Sequence, residues 1–140
     1  MKINGGCHCG NIQYEADIDE NKVILCHCSD CQQMSGAPFR GVVVAPGDTF
    51  SIQGTLTNYI KTTADSGTPR VQSFCPECGT HVYATSVEEP EEGVSKMYNL
   101  RLGTVKQKDQ LKPTIEIWCD SREAWVAPVD GAKQCATVPK

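Results

Sequence analysis

The chain has 140 residues, 39% hydrophobic and 21% charged, with a net charge of -4 and a pI near 5.3. That size suits one domain with its own core, and an acidic chain with singly scattered lysines excludes a large basic surface for nucleic acid. No apolar stretch is long enough to span a membrane, and the opening MKINGGCHCGN lacks the apolar core of a signal peptide, so a cytoplasmic protein is the expectation.

In chain order the pattern reads mostly as strand. Ile12, Tyr14, Ala16 and Ile18 alternate with polar residues, as on a half-buried strand. Val23-Ile24-Leu25 is a short apolar run ending at a cysteine. Ser29 or Asp30 can cap one helical turn through Cys31 to Met34, and Ser35-Gly36 turns the chain into a valine-rich strand over 39–45. Residues 49–60 hold one or two strands around Gly54, and DSGTP at 65–69 is a loop. Strands are expected on both sides of CPEC at 75–78, then over 97–105 and 114–119. The acidic EEPEEG stretch at 88–93 reads as a solvated loop, and the residues after about 128 as a loosely held tail. Trp118 and Trp125 are expected in the core.

Nine cysteines are the anomaly, and seven fall in three tight groups. An odd total, no export signal and i, i+2 spacing all point to metal ligation in a reducing compartment rather than disulfides. Cys75-x-x-Cys78-Gly79 is a zinc knuckle, in which two thiolates three residues apart reach one ion and the glycine permits the tight turn. Cys7-x-Cys9-Gly10 can complete it, since residues i and i+2 of an extended segment point the same way. Gly5, Gly6 and Gly10 would then relieve crowding beside the ion. Four thiolates form a closed, structural site, although an iron–sulfur centre can use the same ligands.

Cys26, Cys28 and Cys31 remain, as CHCSDC at 26–31. Three thiolates around zinc leave one position open and make the ion a weak Lewis acid, suited to a sulfur ligand rather than to making hydroxide. Two alternatives stay open: His27 or Cys119 closing the shell, and a triplet that binds metal only weakly. His27 lies between two cysteines of one strand face and should point the other way. Gln32, Gln33 and Met34 are candidates to line the site. Phe74 is expected to shield the four-cysteine ion, and Cys135 to be a surface thiol.

The whole spacing, GGCHCG at 5–10, CHCSDC at 26–31, SGTPRVQSFCPECGT at 66–80 and SREAW at 121–125, resembles the family of glutathione-dependent formaldehyde-activating enzymes, which includes centromere protein V-like proteins. The resemblance covers most of the chain. It implies one mainly β, Mss4-like antiparallel domain over 1–140, organised around a structural zinc on Cys7, Cys9, Cys75 and Cys78. It implies a second, catalytic-type zinc on Cys26, Cys28 and Cys31, and a carbon–sulfur lyase-class activity joining formaldehyde to a thiol such as glutathione. Arg40, Arg70 and Arg122 are candidates to meet the carboxylates of that thiol. A non-enzymatic zinc-binding β module, for a protein or a small thiol, is the alternative reading; a redox or metal-handling protein is the third. Either a monomer or a homodimer is compatible with the pattern.

Overall fold

The computed structural model describes residues 1–139. Among these residues eleven strands form two sheets. The smaller is antiparallel, in the order β1 (Lys2–Gly6), β2 (Gln13–Asp17), β5 (Ser51–Gln53). The larger has β3 (Val23–Cys26), β4 (Arg40–Pro46), β6 (Thr57–Lys61), β7 (Arg70–Phe74), β8 (His81–Ser86), β9 (Met97–Arg101), β10 (Ile115–Ile117) and β11 (Lys133–Gln134). Its order across the sheet is β11-β10-β3-β4-β9-β8-β7-β6. The only α-helix among the described residues, α1 (Ser29–Ser35), lies between β3 and β4.

The mainly β expectation holds, with one topological departure. β10 runs parallel to both β3 and β11, so the large sheet is mixed. The alternation of β2 places Tyr14 and Ala16 inward, and the core forms where that face meets Val23, Val43, Ala45 and Leu100 of the large sheet. Phe50, Tyr83 and Tyr98 pack as an aromatic cluster at its side, with ring centroids 4.7–5.7 Å apart.

Other departures have local causes. The strand β1 is glycine-rich and carries no clear alternation, so the sequence pattern does not reveal it. Residues 129–139 are not a loose tail: β11 adds to the sheet, the Trp118 N–H donates to the Thr137 carbonyl at 2.8 Å, and the Cys119 N–H to that of Cys135 at 3.0 Å. Cys135 is accordingly buried and not a surface thiol. Trp125 is 76% exposed rather than in the core, whereas Trp118 is half-buried.

Gly5 and Gly6 allow close backbone approach rather than easing crowding at sulfur. A Cβ at Gly5 would collide with the Thr104 carbonyl oxygen and the Tyr14 ring, and one at Gly6 with the Ile12 carbonyl oxygen. Tyr14 Oη and Thr104 Oγ1 are hydrogen-bonded at 2.8 Å over that contact. Gly5→Ala should therefore destabilise the fold by about 1–3 kcal/mol. The check is the urea midpoint, which should fall with an unchanged slope.

Candidate metal centres and the polar sheet face

The first cysteine cluster joins the end of β1 to the β7–β8 turn. The chain reverses after Gly6, with the Gly10 N–H donating to the Cys7 carbonyl at 3.2 Å and the Ile12 N–H to Cys7 Sγ at 3.1 Å. The knuckle closes through the Gly79 N–H to the Cys75 carbonyl at 2.9 Å, with Gly79 at φ 77°. Thr80 links the halves: its Oγ1 lies 3.2 Å from Cys78 Sγ and accepts the His8 N–H at 3.1 Å. Hydrogen bonds from Thr80, side chain then backbone, pull the Cys78 thiol down to about 5.

The sulfurs of Cys7, Cys9, Cys75 and Cys78 lie within 4.8 Å of one another. Cys7 and Cys9 Sγ are 3.6 Å apart, and Cys9 and Cys75 Sγ 3.7 Å. A disulfide needs about 2.05 Å. Ligands about 2.3 Å from a tetrahedral zinc must stand about 3.8 Å apart, so the set fits a metal and not a bridge. Phe74 stacks on His81, with centroids 5.6 Å apart, which is where its ring is engaged.

The second cluster is Cys26, Cys28 and Cys31, whose sulfurs also lie within 4.8 Å of one another. Cys26 ends β3 and Cys31 sits in the first turn of α1. The helix cap is neither Ser29 nor Asp30: Cys28 occupies that position, and its sulfur accepts the Cys31 N–H at 3.3 Å. One side chain thus serves the helix and the cluster together. Hydrogen bonds from Cys26 and Cys31 hold the Cys28 thiol low, at about 2, and the same hydrogen bond to Cys28 pushes Cys26 up. Lys61 bonds Asp30 at 2.9 Å, and its positive charge also lowers the Cys28 thiol.

His27 does point away from the sulfurs. It is fully buried, and its Nε2 lies 2.7 Å from Glu116 Oε1. The other carboxylate oxygen accepts the Val129 N–H at 2.8 Å and Gln134 Nε2 at 2.7 Å, with Arg122 Nη2 at 3.3 Å. Burial alone would raise the Glu116 pKa, but donation from Gln134, Val129 and His27 outweighs it and holds the acid at about 2. Cys119 is outside both sulfur clusters, its Sγ 3.5 Å from the Glu116 carbonyl oxygen. Gln32 turns back as a clamp, donating to the carbonyls of His27 and Ser121, each at 3.0 Å.

Strand register places the arginines. Residues directly opposite on antiparallel strands share a sheet face, as do residues i and i+2. Cys26 opposes Arg40, Val42 opposes Arg101, Ala84 opposes Asn99, and Gln72 opposes Ala84. Cys26, Arg40, Arg101 and Gln72 therefore share one face of the large sheet, the face turned from the main core. Arg70 joins them two residues before Gln72, half-buried. Arg122 does not: it is engaged by Glu116 and by Gln134 Oε1. A cleft of about 570 Å³ opens beside this face, lined by Met34, Phe39, Arg40, Thr80, His81 and Arg101 among others. Sequence reasoning does not single out Arg101, Gln72 or His81, although a polar residue between apolar ones on an inner strand is the visible signal.

Residues 2–121 match the family described as glutathione-dependent formaldehyde-activating enzyme. The chain belongs to this family. Similar curated family relatives include an uncharacterized lyase of Schizosaccharomyces pombe, 30% identical over 82 residues, covering 59% of this chain and 56% of the relative. Another is a Phaeosphaeria nodorum protein provisionally named a glutathione-dependent formaldehyde-activating enzyme, 29% identical over 85 residues, covering 59% of this chain and 44% of the relative. The alignments thus span about half the length of these relatives.

Glu116 is the test of how the triplet's backbone is held in this family member. Glu116→Gln removes the charge and turns one acceptor oxygen into an amide donor among four partners, His27, Val129, Gln134 and Arg122, so that either His27 changes tautomer or one donor loses its acceptor. The expected loss is about 1–3 kcal/mol, measured by urea unfolding, with zinc content followed in parallel.

Proposed function

We propose that this chain is a zinc-dependent, carbon–sulfur lyase-class enzyme that joins formaldehyde, or a related small aldehyde, to a thiol such as glutathione. In this reading Cys7, Cys9, Cys75 and Cys78 hold a structural zinc, and Cys26, Cys28 and Cys31 hold a second. The observation that carries it is the donor count. The second cluster brings together three cysteine sulfurs with no fourth cysteine, histidine or carboxylate among the described residues, and His27, the nearest candidate in sequence, is committed to Glu116.

When bound there, zinc supplies a position at which an entering thiol loses its proton. The chain's own residues do the rest. The α1 cap and the His27–Glu116 pair fix the three sulfurs on a rigid corner between β3 and the helix. The positive charge of Arg40 and Arg101 on the same sheet face favours an anionic thiolate over a neutral thiol. The thiolate sulfur donates its electron pair to the aldehyde carbon, the C=O π pair moves to oxygen, and that oxygen takes a proton from solvent. The product is the S-hydroxymethyl thiol, with no oxidant or reductant required.

Elemental analysis of protein purified without added metal, with Cys28→Ser and Cys78→Ser beside it, is the first check. Two zincs per chain are expected, falling to one in Cys28→Ser with the fold intact. NMR exchange between formaldehyde, glutathione and their adduct should be faster with the wild type than without protein, and return to the spontaneous rate in Cys28→Ser. One zinc in the wild type, unchanged by Cys28→Ser, or no acceleration at all, overturns the proposal in favour of a zinc-binding β module.

A further inference from the structure

The strands β3 and β4 are apolar on both of their faces. The run in β3 is Val23-Ile24-Leu25, and β4 reads Val42-Val43-Val44-Ala45. A strand with one side in water alternates apolar with polar, and a continuous apolar run belongs where both sides are covered. Val23, Val43 and Ala45 do pack into the core. Ile24 and Val44, on the opposite face, are only half-buried.

Register spreads this uncovered patch over five neighbouring strands. Ile24 opposes Ile115 of β10, which opposes Lys133 of β11. On its other side Ile24 opposes Val42, two residues before Val44, and Pro46 at the end of β4 opposes Met97 of β9. Ile24, Val44, Met97 and Ile115 together line an open groove of about 910 Å³. Met97 is 47% exposed.

The two flanks of the groove carry opposite charge. Lys22, just before β3, and Lys133, at the start of β11, are exposed on one side. On the other side, beyond Met97, the connection from β8 to β9 exposes Glu88, Glu89, Glu91 and Glu92. Glu89 is paired with Lys96 at 2.9 Å. Among the described residues Lys22, Lys133, Glu88, Glu91 and Glu92 form no ion pair. Two acids also border the lysine flank but are engaged locally: Asp17 meets the terminal ammonium at 3.1 Å, and Asp19 accepts the Asn21 N–H at 2.9 Å.

From this arrangement we infer that the groove is an interface between two copies of this chain, packed sheet face to sheet face about a two-fold axis parallel to the strands. A two-fold interface must be complementary to itself. This axis exchanges the flanks, so the lysines of each copy meet the acidic 88–92 connection of the other. An axis across the strands would set lysine against lysine, which is repulsive. Aligned sheets pack about 10 Å apart, close enough for Ile24, Val44, Met97 and Ile115 to interdigitate with their own copies. Cys26 lies on the same face two residues after Ile24, so the second copy borders the cysteine triplet. The inference does not depend on the reaction proposed above.

Sedimentation velocity of the zinc-loaded wild type should show a species of two 15.2 kDa chains. Met97→Glu should weaken association at least about tenfold. The double variant Lys22→Glu/Lys133→Glu and the triple variant Glu88→Lys/Glu91→Lys/Glu92→Lys should each sediment as monomers, and mixing the two should restore a dimer. Tyr59→Lys, at an exposed position on the edge strand β6, should leave the dimer intact. Zinc content and circular dichroism identify any misfolded variant, and the charge reversals test the interface even if Met97→Glu fails to fold. A monomeric wild type overturns the inference and leaves the groove to a different protein or a small amphiphile. A dimer that survives both charge reversals, that is dissolved by Tyr59→Lys, or that the mixture fails to restore overturns it too.

Discussion

A buried carboxylate governs the corner on which the cysteine triplet stands. Glu116 has no exposure to solvent, and its two oxygens answer to His27, to the Val129 N–H, to Gln134 and to Arg122. A charge removed from water is tolerable only when every lone pair is met, and here the donors come from three separate stretches of chain. The strand β10 that carries Glu116 runs parallel to β3, directly opposite the residues leading to the triplet. Parallel neighbours cannot be joined by a tight turn, so most of the chain intervenes between them. The single polar hub compensates by fixing where β3 ends and how the next turn leaves it.

From that fixed end, alternation distributes the chemistry. In the segment from Cys26 to Cys28 the odd residue out, His27, goes inward to the carboxylate, and the two sulfurs go to the other side. The same sheet face continues through Arg40, Arg101 and Gln72, so a hydrophobic core lies on one side of the sheet and a buried polar layer on the other. A sheet covered on both faces ordinarily reads as apolar throughout. The exception here lies on the face that also carries Cys26, at Arg40, Arg101 and Gln72.

Much of this is legible in the amino-acid order itself. The strands of strong alternation or valine content, β2, β3 and β4, announce themselves, as do the cysteine triplet and each half of the four-cysteine set, because metal spacing within each half is a local property. The inward turn of His27 follows from period-two geometry alone. What stays hidden depends on distant pairing. β1 has glycines where a side chain would collide with Thr104 and Tyr14, and so lacks the usual pattern. The residues after 128 look like a tail because their anchor is a carboxylate on another strand. Arg122 is as good a candidate as Arg40 in sequence, since nothing local reveals that Glu116 already engages it. Arg101 escapes notice for the converse reason: only the register of β4 and β9 brings it to Arg40's side.

The wide sequence separation between His27 and Glu116, 89 residues, has a consequence for how the chain acquires its shape during synthesis. A ribosome adds about 5–20 residues each second, so the CHCSDC segment emerges seconds before the strand that will flank it. Over that interval three thiols stand in water without the inward anchor of their histidine, and α1 has only its sulfur cap. The four-cysteine set becomes complete earlier, when residue 78 has emerged. The order of emergence therefore presents the triplet's own sulfurs first, completes the four-cysteine set next and brings the Glu116 anchor last, and any truncation before residue 116 would release a chain whose CHCSDC segment never receives that support.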